Sequence, residues 1–479
     1  MSNVTTAAPA DGDLFVYRRR RNVELFMDLF ALAIGLAGWL LVEINLFGRL
    51  PANLPLLAAG WFGVGIAAHL VVRWRLPYAD PLLLPCVLLL NGLGLAMIHR
   101  IDQVPLPEKP ALHRADTQMM WTVLGIVLFV VVVSWLRDHR RLQRFPYLLF
   151  LTGLVLLLLP LVPGLGTSQG MGAQIWITIG PYSFQPAEIA KIVLAIAFAG
   201  YLTDHREVLA LAGRRVLGID FPRLRDLGPI IIMWLASLAI LVFQNDLGSS
   251  MLFFGLFVVM LYVATEKPGW PILGLVMIGL GGTLAYHFAG HVKVRFDSWL
   301  RPFENYEQNT QVISAQFGLA WGGLTGRGWG LGRPALTTFS YSDMIATSLG
   351  EEIGIVGLMG IIMVYGIIVA RSLRAALASH EPFGKLLACG LGFVFALQVF
   401  AIIGGVTRVL PLTGLTTPFM SQGGSAMISN WVIVGILLVV SHQARRPGPT
   451  ELPSTDASFE NEDTLPIPVV RADSPRGDA

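Results

Sequence analysis

About twelve stretches of mostly apolar residues recur along this chain, near 25–46, 54–72, 81–98, 118–136, 146–163, 186–203, 228–244, 249–265, 269–288, 350–370, 384–407 and 423–441. About 20 such residues, wound as a helix, cross the hydrocarbon core of a bilayer. Lipid offers no hydrogen bonds, so each segment must satisfy its own backbone, which a helix does. The pattern therefore predicts an all-α polytopic membrane protein of about 12 transmembrane helices, the fifth and eighth short. Composition agrees, at 54% hydrophobic and 14% charged, where a soluble domain carries about 25% charge. The two cysteines, Cys86 and Cys389, lie in apolar stretches, which argues against a disulfide framework, a CxxC redox pair or a zinc site. The first apolar span lacks a small-residue cleavage site and reads as a retained helix rather than a signal peptide.

Loop charge predicts orientation. With an even number of spans, alternate loops fall on opposite sides. One set, which includes Arg18–Arg21, Arg140, Arg141, Arg371 and Arg445, holds 21 Lys and Arg, against 10 spread over longer loops in the other. The positive-inside bias puts both termini in the cytoplasm. It places the longest loop, 289–349, outside the cell. That loop is rich in Gly, Trp and Phe, and its aromatic content favours packing at the membrane surface over disorder. The basic clusters read as topology signals, with no sign of a nucleic-acid partner. Residues 1–22 form a cytoplasmic N-terminal tail. From about Pro447 the chain turns Pro-rich and acidic, so 447–479 is expected to be a disordered cytoplasmic tail.

A charge at the bilayer centre costs at least ~2.5 kcal/mol, so each polar group near a span needs a reason. In "SFQPAEIAKIVLAIA" (183–197), Pro186 suits a first helical turn and Glu188 suits its dipole. Lys191, three residues on, shares a face with Glu188. The two form either a structural ion pair or the charged wall of a water-filled cavity. In "FQNDLGSS" (243–250), Asp246 either caps the next helix or faces a cavity, and Gly248 permits a close turn. The Gly-, Pro-, Ser- and Thr-rich run 404–430 predicts a non-helical path lining protein or water. Within it, Arg408 either meets an anionic head group or snorkels to the interface. Asp343, before the tenth span, is either a helix cap or an acid whose desolvation raises its pKa and makes it a general base. Glu351 and Glu352 face different directions on a continuous helix and read as helix-anchoring residues. There is no P-loop, GxSxG or HExxH arrangement. These residues alone leave a transporter and a membrane-embedded enzyme both open.

Together, "GAQIWITIG…FQPAEIAK" (172–191), "QNDLGSS" (244–250), "GGLTGRG" (322–328), "YSDMIATSLGEEIGIVG" (341–357) and "LPLTGLTTPFMSQGGS" (410–425) resemble the SEDS family, the RodA/FtsW/SpoVE proteins, over about 118–442. The resemblance implies a ten-helix core at 111–446, with 23–110 an extra N-terminal transmembrane region. It implies a multi-pass protein of the bacterial plasma membrane that polymerises lipid II into peptidoglycan, releases undecaprenyl pyrophosphate and works with a class B penicillin-binding protein. It matches the family's essential aspartate to Asp343, and its "QPSE..K" motif to Gln185, Pro186, Glu188 and Lys191. It matches "PDLG" to Asn245, Asp246, Leu247 and Gly248, and "SYGGS" to Ser421, Gln422, Gly423, Gly424 and Ser425. Where many members carry an arginine before the tryptophan matching Trp176, this chain has Ile175, so Arg408 or Lys191 must serve a phosphate instead. On this reading Asp343 deprotonates the acceptor sugar hydroxyl or holds a divalent cation, magnesium or manganese. "PLLLPCVLLLNGLGLAMIHR" points to an elongation-type member. The alternatives are a division-type member, a lipid II flippase and a non-catalytic scaffold.

Overall fold

A computed structural model describes residues 20–103, 113–136, 138–167, 173–180, 182–206, 213–216, 219–222 and 224–446. The expected tail 447–479, and all but the end of the tail 1–22, lie outside the described residues. The helices are α1 Arg21–Phe47, α2 Leu54–Arg75, α3 Leu83–Asp102, α4 Arg114–Trp135, α5 Pro146–Leu158, α6 Pro186–Asp204 and α7 Leu224–Phe243. They continue as α8 Leu247–Thr265, α9 Gly269–Phe288, α10 Gly290–Leu300, α11 Thr310–Gly322, α12 Ile345–Ala378, α13 Pro382–Val406 and α14 Gly424–Arg445. Every expected span is thus a helix. Ten are long and apolar enough to cross a membrane, while Pro146–Leu161 and Ile231–Phe243 are shorter. The eighth span, expected to be short, starts earlier, at Leu247, because Asp246 caps it, its Oδ1 accepting from the Ser249 amide at 2.9 Å.

The centre of the bundle is α3, α6 and α14, whose spans are 83%, 83% and 89% buried, whereas α9 at 6% lies at the edge. Small residues let helices close on one another without a hydrophobic driving force between them. A Cβ on Gly35 of α1 would sit 2.9 Å from Gly92 Cα of α3, and one on Gly125 of α4 would sit 2.7 Å from the Trp431 ring of α14.

At the end where α1 begins and α14 stops, buried charges are paired. Asp80 accepts from Arg371 Nε at 2.6 Å and from Arg445, and its amide donates to Ser441 Oγ at 3.1 Å. Arg21 pairs with Glu24, and His69 Nδ1 lies 2.8 Å from Asp28 Oδ2, joining α1 to α2. Removing one partner of such a pair leaves a buried charge uncompensated, at a cost of about 3–5 kcal/mol.

At the other end, the 289–344 loop is structured. α10 and α11 fold within it, and its last part inserts into a break in α12. Gly354, at φ 72 and ψ 179, splits α12 into a short helix, 345–353, and a long one. The segment after α11 fills the break with backbone hydrogen bonds. Ile355 and Val356 amides donate to Gly323 and Leu324 oxygens, and Arg327 and Gly328 amides donate to Glu351 and Glu352 oxygens, all at 3.0–3.1 Å. A Cβ on Gly354 would lie 2.3 Å from the Gly326 nitrogen, so this join needs a bare backbone.

Two small sheets complete the fold. β1 Gly166–Thr167, β2 Trp176–Ile179 and β3 Tyr182–Phe184 pair antiparallel before α6, and β4 Gly213–Val216 pairs with β5 Ile219–Pro222.

Candidate active site

A cavity of about 750 Å³ opens at the loop end, bounded by β2 and β3, α10, the 339–343 segment and the non-helical 407–423 path. Its walls mix aromatic rings, Trp121, Trp176, Tyr182, Trp299, Phe339 and Tyr341 among them, with polar side chains such as Gln185, Asn309 and Gln422. Four charged side chains line it: Asp246, Arg295, Asp343 and Arg408. Two acids and two guanidiniums around one pocket can bind an anionic group and still keep a carboxylate for proton transfer.

Asp343 is half-buried, two residues before α12. It does not cap that helix: the N-cap is Met344, with no side-chain hydrogen bond. Among the described residues its carboxylate makes no hydrogen bond or ion pair. Desolvation pushes its pKa up to about 6, against an opposing pull from Arg295. An aspartate that titrates near neutrality without a committed partner is available as a general base.

Asp246 does both things that its sequence allows. It caps α8 through Oδ1 and lines the cavity, with Oδ2 buried and unpaired. Burial raises its pKa, and Arg295 opposes that. Gly248 is not a turn glycine: the left-handed residue is Asn245, at φ 60. Gly248 instead lies in the first turn of α8, where a Cβ would come 2.7 Å from the Thr413 oxygen.

Arg295, which sequence reading counted only as a loop cation, is the residue it missed. α10 carries it over the 412–414 segment, where Nη1 donates to the Leu412 oxygen at 3.0 Å. Its charge acts on both Asp246 and Asp343. The one signal available was its position in "VRFDSWLRP", a charged run inside the long loop. Arg408, at φ 61, is clasped to Trp299: Nη2 donates to the Trp299 oxygen at 2.9 Å and Trp299 Nε1 donates to the Arg408 oxygen at 2.9 Å. It lines the cavity rather than snorkelling away.

Gln185, Trp176, Gly423 and Gly424 also line the cavity, as does Ile175 where the family arginine was expected. Four expected members do not. Glu188 and Lys191 form a buried pair at 2.5 Å inside the bundle, and Lys191 Nζ is 3.4 Å from Gln398 Oε1. Their helical face turns toward α13, so Lys191 is not the replacement cation. Ser425 is buried at the start of α14. Ser421 acts one residue away, its hydroxyl donating to the Ser342 oxygen at 2.7 Å and accepting from the Thr417 amide at 2.8 Å. Pro186 opens α6 as expected.

Glu351 and Glu352 anchor the loop more than the helix. Glu351 Oε1 accepts from the Arg333 amide at 2.6 Å. Glu352 accepts from the Gly330 amide at 2.8 Å and from Arg100 Nε at 3.0 Å.

The helix count, the buried core and the acid-bearing cavity at one end define a polytopic membrane protein with a charged cavity. The chain belongs to the FtsW/RodA/SpoVE family of cell cycle proteins, whose model matches residues 81–446. The match begins just before α3, so that helix goes with the family region and only α1 and α2 precede it. A peptidoglycan glycosyltransferase RodA of Mycobacterium bovis is 43% identical, covering 89% of this chain and 92% of its own. A probable peptidoglycan glycosyltransferase FtsW of Geobacter is 30% identical, covering 76% of this chain and 97% of its own. A solved chain from a peptidoglycan synthase complex that coordinates polymerization and crosslinking superposes with a TM-score of 0.60 at 25% identity, covering 77% of this chain and 99% of that one.

Proposed function

We propose that this protein is a peptidoglycan glycosyltransferase of the elongation type, polymerising lipid II with Asp343 as its general base. The observation that carries the assignment to a residue is Asp343 itself, a cavity carboxylate with no hydrogen bond or ion pair among the described residues, whose pKa burial pushes up to about 6 against the pull of Arg295. The greater identity to relatives named RodA than to those named FtsW supports elongation over division.

In the reaction, the 4-hydroxyl oxygen of the acceptor sugar attacks the anomeric carbon of the growing strand. The bond from that carbon to the pyrophosphate oxygen breaks, and undecaprenyl pyrophosphate leaves with the electron pair. Asp343 takes the hydroxyl proton, a service typically worth 10²–10⁴-fold. Arg295 and Arg408 meet the negative charge that grows on the leaving group, in place of the arginine absent at Ile175. The alternative role for Asp343, instead of taking the proton, is to hold magnesium or manganese, for which a carboxylate is a hard oxygen donor. Such an ion would supply positive charge to the leaving group.

The positive-inside bias supports a cavity that faces outward, with both termini cytoplasmic. A class B penicillin-binding protein is the proposed partner, supported by the likeness to a chain of a synthase complex that both polymerises and crosslinks. The test is polymerisation of lipid II by the purified protein with that partner, comparing wild type with Asp343→Ala at matched expression. Product should fall by at least a hundredfold, and undiminished product refutes the assignment.

A further inference from the structure

Helices α1 and α2 precede the family region, which starts at residue 81. The synthase-complex chain is covered almost completely by 77% of this one, so this protein carries helices beyond a fold that is complete elsewhere. What α1 touches at its loop end gives the addition a use. Gly38, Val42 and Asn45 fall at i, i+4 and i+7, one stripe of the helix. The Trp329 ring rests on Gly38, where a Cβ would come within 3.3 Å of it. Gly330 lies against Val42 and Asn45, at 3.5 and 3.3 Å from its Cβ position, and Asn45 Nδ2 donates to the Trp329 oxygen at 2.6 Å.

That Trp329–Gly330 corner is the piece of loop that the Glu352 carboxylate grips through the Gly330 amide at 2.8 Å. Arg100 of α3 closes the far side, bonding Glu352 at 3.0 Å and the Gly332 oxygen at 2.7 Å. Glu351 and Glu352 end the short helix 345–353, a rod of about 13 Å at 1.5 Å per residue. Asp343 stands at its other end. α1 is itself keyed to α3 by Trp39 stacked on His99 and by His99 Nε2 to Glu43 at 2.8 Å.

We infer that α1 is a positioning element for the active site: its Gly38–Val42–Asn45 stripe seats the Trp329–Gly330 corner, and the corner, through Glu352, fixes the short helix that presents Asp343. The chemical role of Asp343 is the one proposed above; the mechanical linkage stands on the contacts alone. Catalytic geometry is sensitive to this kind of support, since a displacement of about 1 Å in a reacting group can cost 10²-fold.

The experiment uses the full chain with Gly38→Leu, Asn45→Ala and Trp329→Ala, all outside the cavity. Hydrogen exchange is followed across 326–353, and lipid II polymerisation is measured from pH 5 to 8. The expected result is exchange at the Gly328, Gly330 and Arg333 amides at least tenfold faster, with α13 and α14 unchanged. Turnover falls severalfold, and the acid limb of the pH–rate profile moves down as Asp343, facing Arg295, gains water. A mere loss of folded protein lowers the rate equally at every pH and leaves that limb in place. Wild-type exchange across 326–353 in all three variants overturns the inference, as does a lowered rate with an unmoved limb. If wild type itself makes no polymer, the proposed function fails while the exchange data still decide the linkage.

Discussion

The acid limb of the pH–rate profile is where the site's electrostatics are most exposed to refutation. With Asp343 titrating near 6, about nine-tenths of it is ionised at pH 7 and about one-tenth at pH 5, so turnover falls roughly tenfold between them. An ordinary aspartate, near 3.9, would lose less than about a tenth of its base form over that interval. The perturbation is Arg295→Gln. Arg295 holds the pKa of Asp343 below what burial alone would set, so removing the cation moves the limb upward, toward higher pH. A coupling of about 1.4 kcal/mol between two charges corresponds to one pH unit, and the expected shift is of that order. The substitution also lowers the maximal rate, because the leaving pyrophosphate loses a cation, but the limb's position is independent of that loss. Initial rates of lipid II polymerisation from pH 4.5 to 8 give both quantities. Preincubation at pH 5 followed by assay at pH 7 separates titration from unfolding. A wild-type limb near pH 4, or a limb that Arg295→Gln leaves unmoved or shifts downward, refutes the reasoning.

Glu352→Ala strands Arg100, which is only 3% exposed, and should cost about 3–5 kcal/mol in thermal unfolding. Adding Arg100→Met to it should recover part of that loss, and a double variant less stable than the single one would contradict the pairing. Gly248→Ala pushes a methyl to within 2.7 Å of the Thr413 oxygen. It should lower stability by about 1–3 kcal/mol and slow polymerisation by moving the wall that Arg295 grips; a silent substitution would show that the wall yields freely.

Much of the bundle was legible because its driving pattern is local. Twelve apolar runs became twelve helices, and Pro146, Pro186 and Pro382 open theirs where a missing amide costs nothing. The site was legible in part. Asp343, Asp246 and Arg408 reach one cavity, and their unusual polarity beside spans was the clue, whereas Gln185 came from the family resemblance alone. Which face a helix turns inward depends on its neighbours, so the sequence left Glu188 and Lys191 open between an ion pair and a cavity wall, and the bundle makes them an ion pair beside Gln398. Arg295 was missed because its importance comes from α10 folding back across a segment more than a hundred residues away. The break at Gly354 was hidden for a related reason. A glycine in a long apolar run reads as packing, and only the loop that fills the gap shows that the helix is two helices.

The knot around Asp80 has a consequence for how the chain is assembled. Asp80 immediately precedes the family region, and Arg445 stands at its far end, yet the two side chains pair directly. The bundle therefore starts and finishes at a single point, closed by charge rather than by covalent bond. Segments joined to either end depart from the same spot on the same face, which makes that spot a natural place for gene fusion or circular permutation. The added hairpin of α1 and α2 also begins at this knot, where Arg21 at the start of α1 donates to the Ala79 oxygen.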